Sequence, residues 1–578
     1  MKELNYKTIH NYLSLIYKDY NTKEIDKICQ NIKTLFSRRL SDKNINQLWT
    51  EKDSFLITYA DTVRNKSQNH LKTLGNFLNL FCKDFSHIHI LPYYPSSSDD
   101  GFAVIDYKRI SKENGTWADF EKLTSKFKIM SDLVINHCSS ESNLFKNFLK
   151  NQDPGADFFI SSKKKFDNFK KVVRPRSSEL SKKVSICGKE SYVWCTFSHD
   201  QVDLNFKNPN VLIFFLEIIK FYIDKGSRAL RLDAVAFLWK EKGTKCINQP
   251  ETHLIIRLIR LIIEYYSNEC LVITETNIPS HENLSYFGNN NEAHCIYNFS
   301  LAPLLIHAII SEDNNYLKKW SRSMPPAQFG NAYLNFLSTH DGIGMRPLEG
   351  ILPNNELNKF ISTLKKSGAY LTHRVSQNKK TVYEVNTTLL DAFKGTYSGE
   401  DNFQIKRFIL AHEILFAMEG IPAIYIQNLV GSKNDYKKVK KTNVYRSINR
   451  KEWNINELLK LFNKNSINKK IYLAITKLIK IRGNQKAFHP NATQFTLQLP
   501  QNLFGIWRQS LDRSQSIFCI NNLSGRKQTF SLLDINLIST NKWYDLLTKK
   551  SVKDLTSNIT LMPYQSVWLT NKNKLHDW

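Results

Sequence analysis

The chain has 578 residues, 42% of them apolar and 12% aromatic, enough to bury a large core and to exclude wholesale disorder. Its formal net charge of +28, from 81 Lys+Arg against 53 Asp+Glu, first suggests a polyanion partner. The basic residues are mostly lysines scattered through a Lys/Asn/Ile-rich composition, with no zinc knuckle, RNP-type strand or P-loop, so they read as a solvated surface and no nucleic-acid partner is expected.

Nine cysteines without a C-x-x-C pair indicate neither a disulfide framework nor a zinc site, which fits a reducing compartment. The N-terminus has no apolar signal-peptide core, and no stretch reaches the roughly 18 apolar residues of a spanning helix. The expectation is a cytoplasmic protein without a membrane partner.

Residues 1–50 read as two amphipathic helices forming a hairpin that docks on the main body. Ile9, Tyr12, Leu13, Ile16 and Tyr17 share one face, as do Ile25, Ile28, Ile32, Leu35 and Phe36. Eight short apolar runs follow, at 54–59, 87–91, 127–135, 229–235, 271–275, 295–299, 333–337 and 421–426, separated by helical or loop segments. Strands alternating with helices predict parallel βα units, and eight of them predict an α/β fold, a (β/α)8 TIM barrel over 51–485. The gap between the third and fourth runs is too long for a simple connection and predicts an inserted subdomain at about 138–210. A second insertion is expected at roughly 342–405. From 486 to 578 the texture turns all-β, with runs at 493–499, 503–508, 517–521, 528–532, 543–547 and 559–569, predicting a C-terminal β-sandwich.

Three acids end runs that should be buried strands: Asp233 in RLDAVAF, Glu275 in VITETN and Asp341 in THDGIG. Acids are seldom buried without a partner or a purpose. One alone would be an ion pair or a helix cap. Three, at the fourth, fifth and seventh runs, converge on the barrel face where such folds do chemistry. A retaining glycosidase needs this set: one carboxylate attacks the anomeric carbon, and a protonated one, about 5–5.5 Å away, serves the leaving oxygen. Burial beside other carboxylates supplies the raised pKa that the proton donor needs.

The segments DLVINH, ALRLDAV, ITETN and STHDGIG, in that order, resemble the four signature regions of the α-amylase clan, and QVDLN resembles its fifth. More narrowly, ILPYYPSSSDDGFAVIDY, AVAFLWKEKGT, STHDGIGMRPLEG, YEVNTT and VGSKNDYKKVKKTNVYRSINR are similar to the sucrose phosphorylase family. The similarity spans about residues 54–570 and leaves the N-terminal helices outside. It implies that Asp233 is the nucleophile, Glu275 the acid/base and Asp341 the transition-state stabiliser. It implies that His137, Arg231 and His340 hold glucose hydroxyls or orient the nucleophile. Asp99 and Arg450 are implied as the pair that closes the blind end of the glucose pocket, with Asp100 a neighbour that alignment on the following Gly-Phe disfavours. Phe102 and Phe197 are implied as aromatic walls, and Arg176 with Tyr383 as a phosphate-handling pair. Outside that context the histidines and Phe102, Phe197 and Phe237 would be core residues, and Arg176 and Arg450 surface ion pairs.

The chain departs from the sucrose-specific pattern at Asn277, Arg346 and Glu384, all expected on the acceptor side. An arginine there suits an anionic acceptor such as glycerate, whereas Glu384 works against one; sucrose, glucosylglycerol and phosphorylated sucrose stay open. The leading reading is a phosphorylase that moves glucose from a small α-glucoside to inorganic phosphate as co-substrate, with no metal and no organic cofactor, acting as a monomer or homodimer. A hydrolase or transglucosidase with the same triad is the first alternative, and a catalytically inert binding barrel the second.

Overall fold

A computed structural model describes residues 4–40, 47–166, 171–175, 178–376, 379–535, 542–552 and 554–572. At the N-terminus, helices α1 (Tyr6–Ile16) and α2 (Thr22–Leu35) form the expected hairpin. Asn21 starts α2 with a reciprocal cap, accepting from the Glu24 amide while the Glu24 carboxylate accepts from its own N–H. Ile9, Leu13 and Ile16 of α1 and Ile25, Ile28 and Ile32 of α2 are buried in the same core as the barrel.

Eight strands close into a barrel: β1 (Phe55–Thr58), β2 (His87–Ile90), β3 (Lys128–Val134), β4 (Ser227–Asp233), β5 (Leu271–Thr274), β6 (Cys295–Tyr297), β7 (Ala332–Phe336) and β8 (Ile421–Tyr425). Every neighbouring pair is parallel, and β8 returns to β1. Strands covered on both faces read as short continuous apolar runs, and each of the eight runs picked out above is a barrel strand. Two of the outer helices matter below: α3 (Pro209–Asp224) precedes β4, and α4 (Pro250–Tyr266) follows it. The hairpin docks there, α1 along α4 and α2 along α3.

The long β3–β4 connection folds into a three-stranded antiparallel sheet of Ser161–Ser162, Ser181–Ile186 and Lys189–Trp194. It then returns through Gln201–Asp203, which pairs antiparallel with His137–Ser139. That pairing carries part of the insertion back to the barrel mouth. After β7, a second antiparallel sheet of Ile343–Gly344, Tyr370–Ser376 and Lys379–Asn386 rises over the same mouth.

At the C-terminus a six-stranded antiparallel sheet faces a two-stranded sheet, Gln528–Ser531 with Asn558–Leu561. A separate core that includes Phe518, Phe530, Trp543 and Leu569 lies between them. The run expected at 559–569 is two strands, Asn558–Leu561 and Ser566–Thr570. Pro563 and Tyr564, the latter at φ 55°, turn the chain between them, and alternating hydrophobicity alone does not register such a break. Arg508 ties this unit to the barrel by donating to the carbonyls of Ala417, His489 and Ala492.

Candidate active site

The site grows out of β4. Side chains two apart on a strand share a face, so Arg231 and Asp233 both project from the same side of β4 at its C-terminal end. Arg231 Nη1 donates to Asp233 Oδ1 at 2.8 Å and also to Asp132 of β3, while its Nη2 stands 3.8 Å from Glu275 Oε2. Asp132 in turn meets His89 Nε2 of β2 at 2.7 Å. Immediately after the nucleophile candidate, Ala234 is turned into the left-handed region (φ 51°), where a non-glycine residue is held only by its surroundings. Its N–H donates to Glu275 Oε2 at 3.2 Å.

Glu275 follows the last residue of β5, and its own N–H donates to the Leu232 carbonyl of β4. Burial pushes the carboxyls of both Asp233 and Glu275 above the ordinary range, against the pull of Arg231. Arg231 is hydrogen-bonded to Asp233 and more distant from Glu275, which favours the anion on Asp233 and the proton on Glu275. Asp341 is the opposite case. Burial raises its carboxyl, but Arg446, 2.6 Å away, outweighs that and, with Arg450 and Arg231, holds it below the usual carboxylate range. Burial also presses His340 down to about 3, so it stands neutral, stacked on Phe102 with centroids 5.0 Å apart.

Beside His340 lies a correction. The buried guanidinium of Arg450 pairs with Asp100, the neighbour that the alignment disfavoured. Both acids have positive φ, 53° and 49°, and the following Gly101 sits at φ 109° with Pro92 close against it; a Cβ there would come within 2.8 Å of Pro92. This double turn sends adjacent carboxylates in different directions. Asp100 takes Arg450, while Asp99 lines the pocket and accepts from Gln201 Nε2 at 3.2 Å. Arg450 is not a surface residue: its Nε also donates to the His340 carbonyl at 2.9 Å, which steadies the turn that carries Asp341.

His137 is buried, with Nε2 3.0 Å from the Phe102 carbonyl and 3.1 Å from Gln201 Nε2. Phe197 leans on His137 and meets Phe237 edge-on at 5.5 Å. Around them opens a pocket of about 740 Å³, mouth included, that brings together Asp99, Phe102, His137, Phe197, Arg231, Asp233, Glu275, Asn277, His340, Asp341, Arg346, Tyr383 and Glu384. Arg450 stands behind it. Arg176 lies outside the described residues.

The acceptor side overturns one expectation. Glu384 is not a free carboxylate facing an incoming anion. Arg446 grips it with two nitrogens, Nε at 3.0 Å from Oε2 and Nη2 on Oε1, while its Nη1 holds Asp341. Arg346 is different. Its Nη1 makes one long hydrogen bond to the Asn277 carbonyl at 3.5 Å, its Nε is buried without a partner, and among the described residues no carboxylate pairs with it. The hairpin that includes Gly344 presses on the same residue, since a Cβ there would come within 2.9 Å of Asn277 Nδ2. Two pocket groups, Arg446 and Gln201, and Asp132 buried behind Arg231 escaped the sequence reading. Each lies inside a segment already singled out, NVYRSINR, QVDLN and DLVINH, but nothing local distinguishes it there.

Residues 83–488 match the family described as Alpha amylase, catalytic domain. The chain belongs to the α-amylase family, and within it to the sucrose phosphorylase group. It is 36% identical over 569 residues to the glucosylglycerate phosphorylase of Escherichia coli, covering 97% of this chain and 99% of that one. It is also 36% identical over 515 residues to the glucosylglycerate phosphorylase of Spirochaeta thermophila, covering 89% and 86%. The crystal structure of sucrose 6F-phosphate phosphorylase from Thermoanaerobacter thermosaccharolyticum superposes with a TM-score of 0.71 at 26% identity, over 88% of this chain and 98% of that one. The alignment with the Escherichia coli protein is wider than the 54–570 span expected from motifs, and it takes in most of the N-terminal hairpin.

Proposed function

We propose that the protein is a retaining α-glucoside phosphorylase whose donor is glucosylglycerate, releasing glycerate and forming α-glucose 1-phosphate. Asp233, held as the anion by Arg231, attacks the anomeric carbon. The bond to the glycerate oxygen breaks, and Glu275 gives that oxygen its proton. Asp341, kept ionised by Arg446, faces the positive charge that develops on the sugar. Phosphate then enters on the side the acceptor left, gives its proton to Glu275, and takes the glucosyl group from Asp233 with net retention. The family resemblance assigns phosphate to Arg176 and Tyr383.

The observation that carries the choice of acceptor is Arg346: a guanidinium in the pocket wall to which no carboxylate among the described residues is paired. A carboxylate on the acceptor supplies that partner through charge-assisted hydrogen bonds. Glu384 does not stand free to repel it, because Arg446 holds both of its oxygens. The relatives at 36% identity carry the same substrate in their names.

The test is to incubate the protein with glucose 1-phosphate and glycerate, fructose, fructose 6-phosphate or glycerol, and to measure phosphate release. Glycerate should be fastest. Equal rates with glucose 1-phosphate alone would instead establish a hydrolase. Among the described residues no helix is long and apolar enough to cross a membrane; a cytoplasmic setting and a monomeric or homodimeric state belong to the same proposal.

A further inference from the structure

The N-terminal hairpin lies against the segment that follows the nucleophile candidate. Lys18, just past α1, pairs with Glu251 in the first turn of α4 at 3.6 Å. Tyr17 is 3% exposed, and its ring stands 6.5 Å from that of Trp239. Trp239 belongs to residues 234–241, which run from the end of β4 toward α4. Each neighbour in that segment has a separate anchor. Phe237 forms the pocket wall against Phe197. Lys240, buried, donates to Asn136 Oδ1 at 2.8 Å and pairs with Asp203 at 2.9 Å. Glu241 pairs with Lys207 at 2.6 Å, and the same Lys207 ammonium lies 5.8 Å from the centre of the Trp239 ring. Trp239 is thus flanked by Lys207 and by Tyr17 of the hairpin.

The Tyr17 hydroxyl is buried and has no hydrogen-bond partner among the described residues, so what this residue contributes is its ring. We propose that the N-terminal hairpin is a positioning element for catalysis: Tyr17 braces Trp239, and through 234–241 it sets where Phe237 and the strained peptide after Asp233 stand. That peptide donates the hydrogen bond to Glu275, so the brace reaches both the glucose wall and the proton donor. A shift on the order of 1 Å in such groups costs up to about 10²-fold in rate. The proposal goes beyond the acceptor assignment and is independent of which acceptor leaves.

The experiment uses the full chain with α-glucosyl fluoride and phosphate, measuring glucose 1-phosphate formation well below the melting temperature of each variant. The wild-type rate tests the proposed function; the ratios between variants test the brace. Tyr17→Ala should lower kcat/KM about tenfold, and Tyr17→Phe should keep the wild-type value because the ring stays. Phe36→Ala is the control. It removes an equally buried ring of the hairpin where it meets Tyr266, at the far end of α4 and roughly 24 Å along that helix. It should lower the melting temperature and leave kcat/KM alone. Wild-type kcat/KM in Tyr17→Ala, or an equal loss in Phe36→Ala, would overturn the proposal. If Tyr17→Ala does not fold, Tyr17→Leu, which keeps apolar volume without the ring, is judged by the same two outcomes.

Discussion

On the glucose side of the pocket the ionisable groups, most of them on barrel strands with Asp100 and Arg450 on loops, are bound to one another: His89 to Asp132, Asp132 and Asp233 to Arg231, Asp100 to Arg450. On the acceptor side they come from loops and from the antiparallel hairpin after β7, and there the charge does not close: Arg446 is shared between Asp341 and Glu384, and Arg346 pairs with no acid among the described residues. The closed half resembles a rigid mould for one sugar. The open half leaves Arg346 for the substrate to satisfy. Chemistry that is the same for every α-glucoside sits where the backbone is least free to move, and discrimination sits on connections that can vary without disturbing the barrel.

Breaking the closed half should cost most. Asp233→Asn keeps the shape and removes the proposed nucleophile, so turnover of any glucoside should fall by at least about 10⁴-fold with the melting temperature little changed. Near wild-type turnover would remove Asp233 from its role. Glu275→Gln should cost about 10²–10⁴-fold with an alcohol leaving group and far less with glucosyl fluoride, which needs no proton. The pH profile sharpens this. Burial raises the Glu275 carboxyl, so the protonated form persists below its raised pKa and is lost as pH rises through it. Wild-type turnover of alcohol-leaving donors should therefore have a basic limb that the Gln variant lacks; a limb that persists would place the proton elsewhere.

The shared cation comes next. Arg446→Ala leaves the buried Glu384 and the part-buried Asp341 without their counter-charge, and should destabilise the fold by about 3 kcal/mol. Adding Glu384→Gln should return part of that loss in denaturant melts, because one uncompensated charge is gone; a double variant no more stable than the single would mean that Glu384 is not held by Arg446. The smallest effect is the most specific. Arg346→Ala should lower kcat/KM for glycerate about 10–100-fold, the worth of a hydrogen bond to a charged group, and leave glycerol nearly unchanged. Equal losses on both acceptors would return the acceptor to a neutral sugar.

Legibility followed the same divide. All eight barrel strands could be read from the chain, because a strand buried on both faces must be a short apolar run and the polar residue after it marks the mouth. Asp233, Glu275, Asp341, His137, Arg231 and His340 could be located for that reason and line one pocket. The partner of Arg450 could not. Asp99 and Asp100 are identical side chains on consecutive residues, and only the left-handed turn before Gly101 decides which one faces it.

What the chain by itself determined is therefore the barrel, the three acids at its mouth and the excess positive charge, all set by local pattern. Only the tertiary structure decided how the charges cancel. Glu384 looked like an anion facing the acceptor until Arg446, 62 residues away, reached it, and the hairpin at the N-terminus looked detached from the chemistry until Tyr17 met Trp239. Electrostatic pairing and side-chain packing depend on distances between residues remote in sequence, and no spacing along a chain encodes them before it folds.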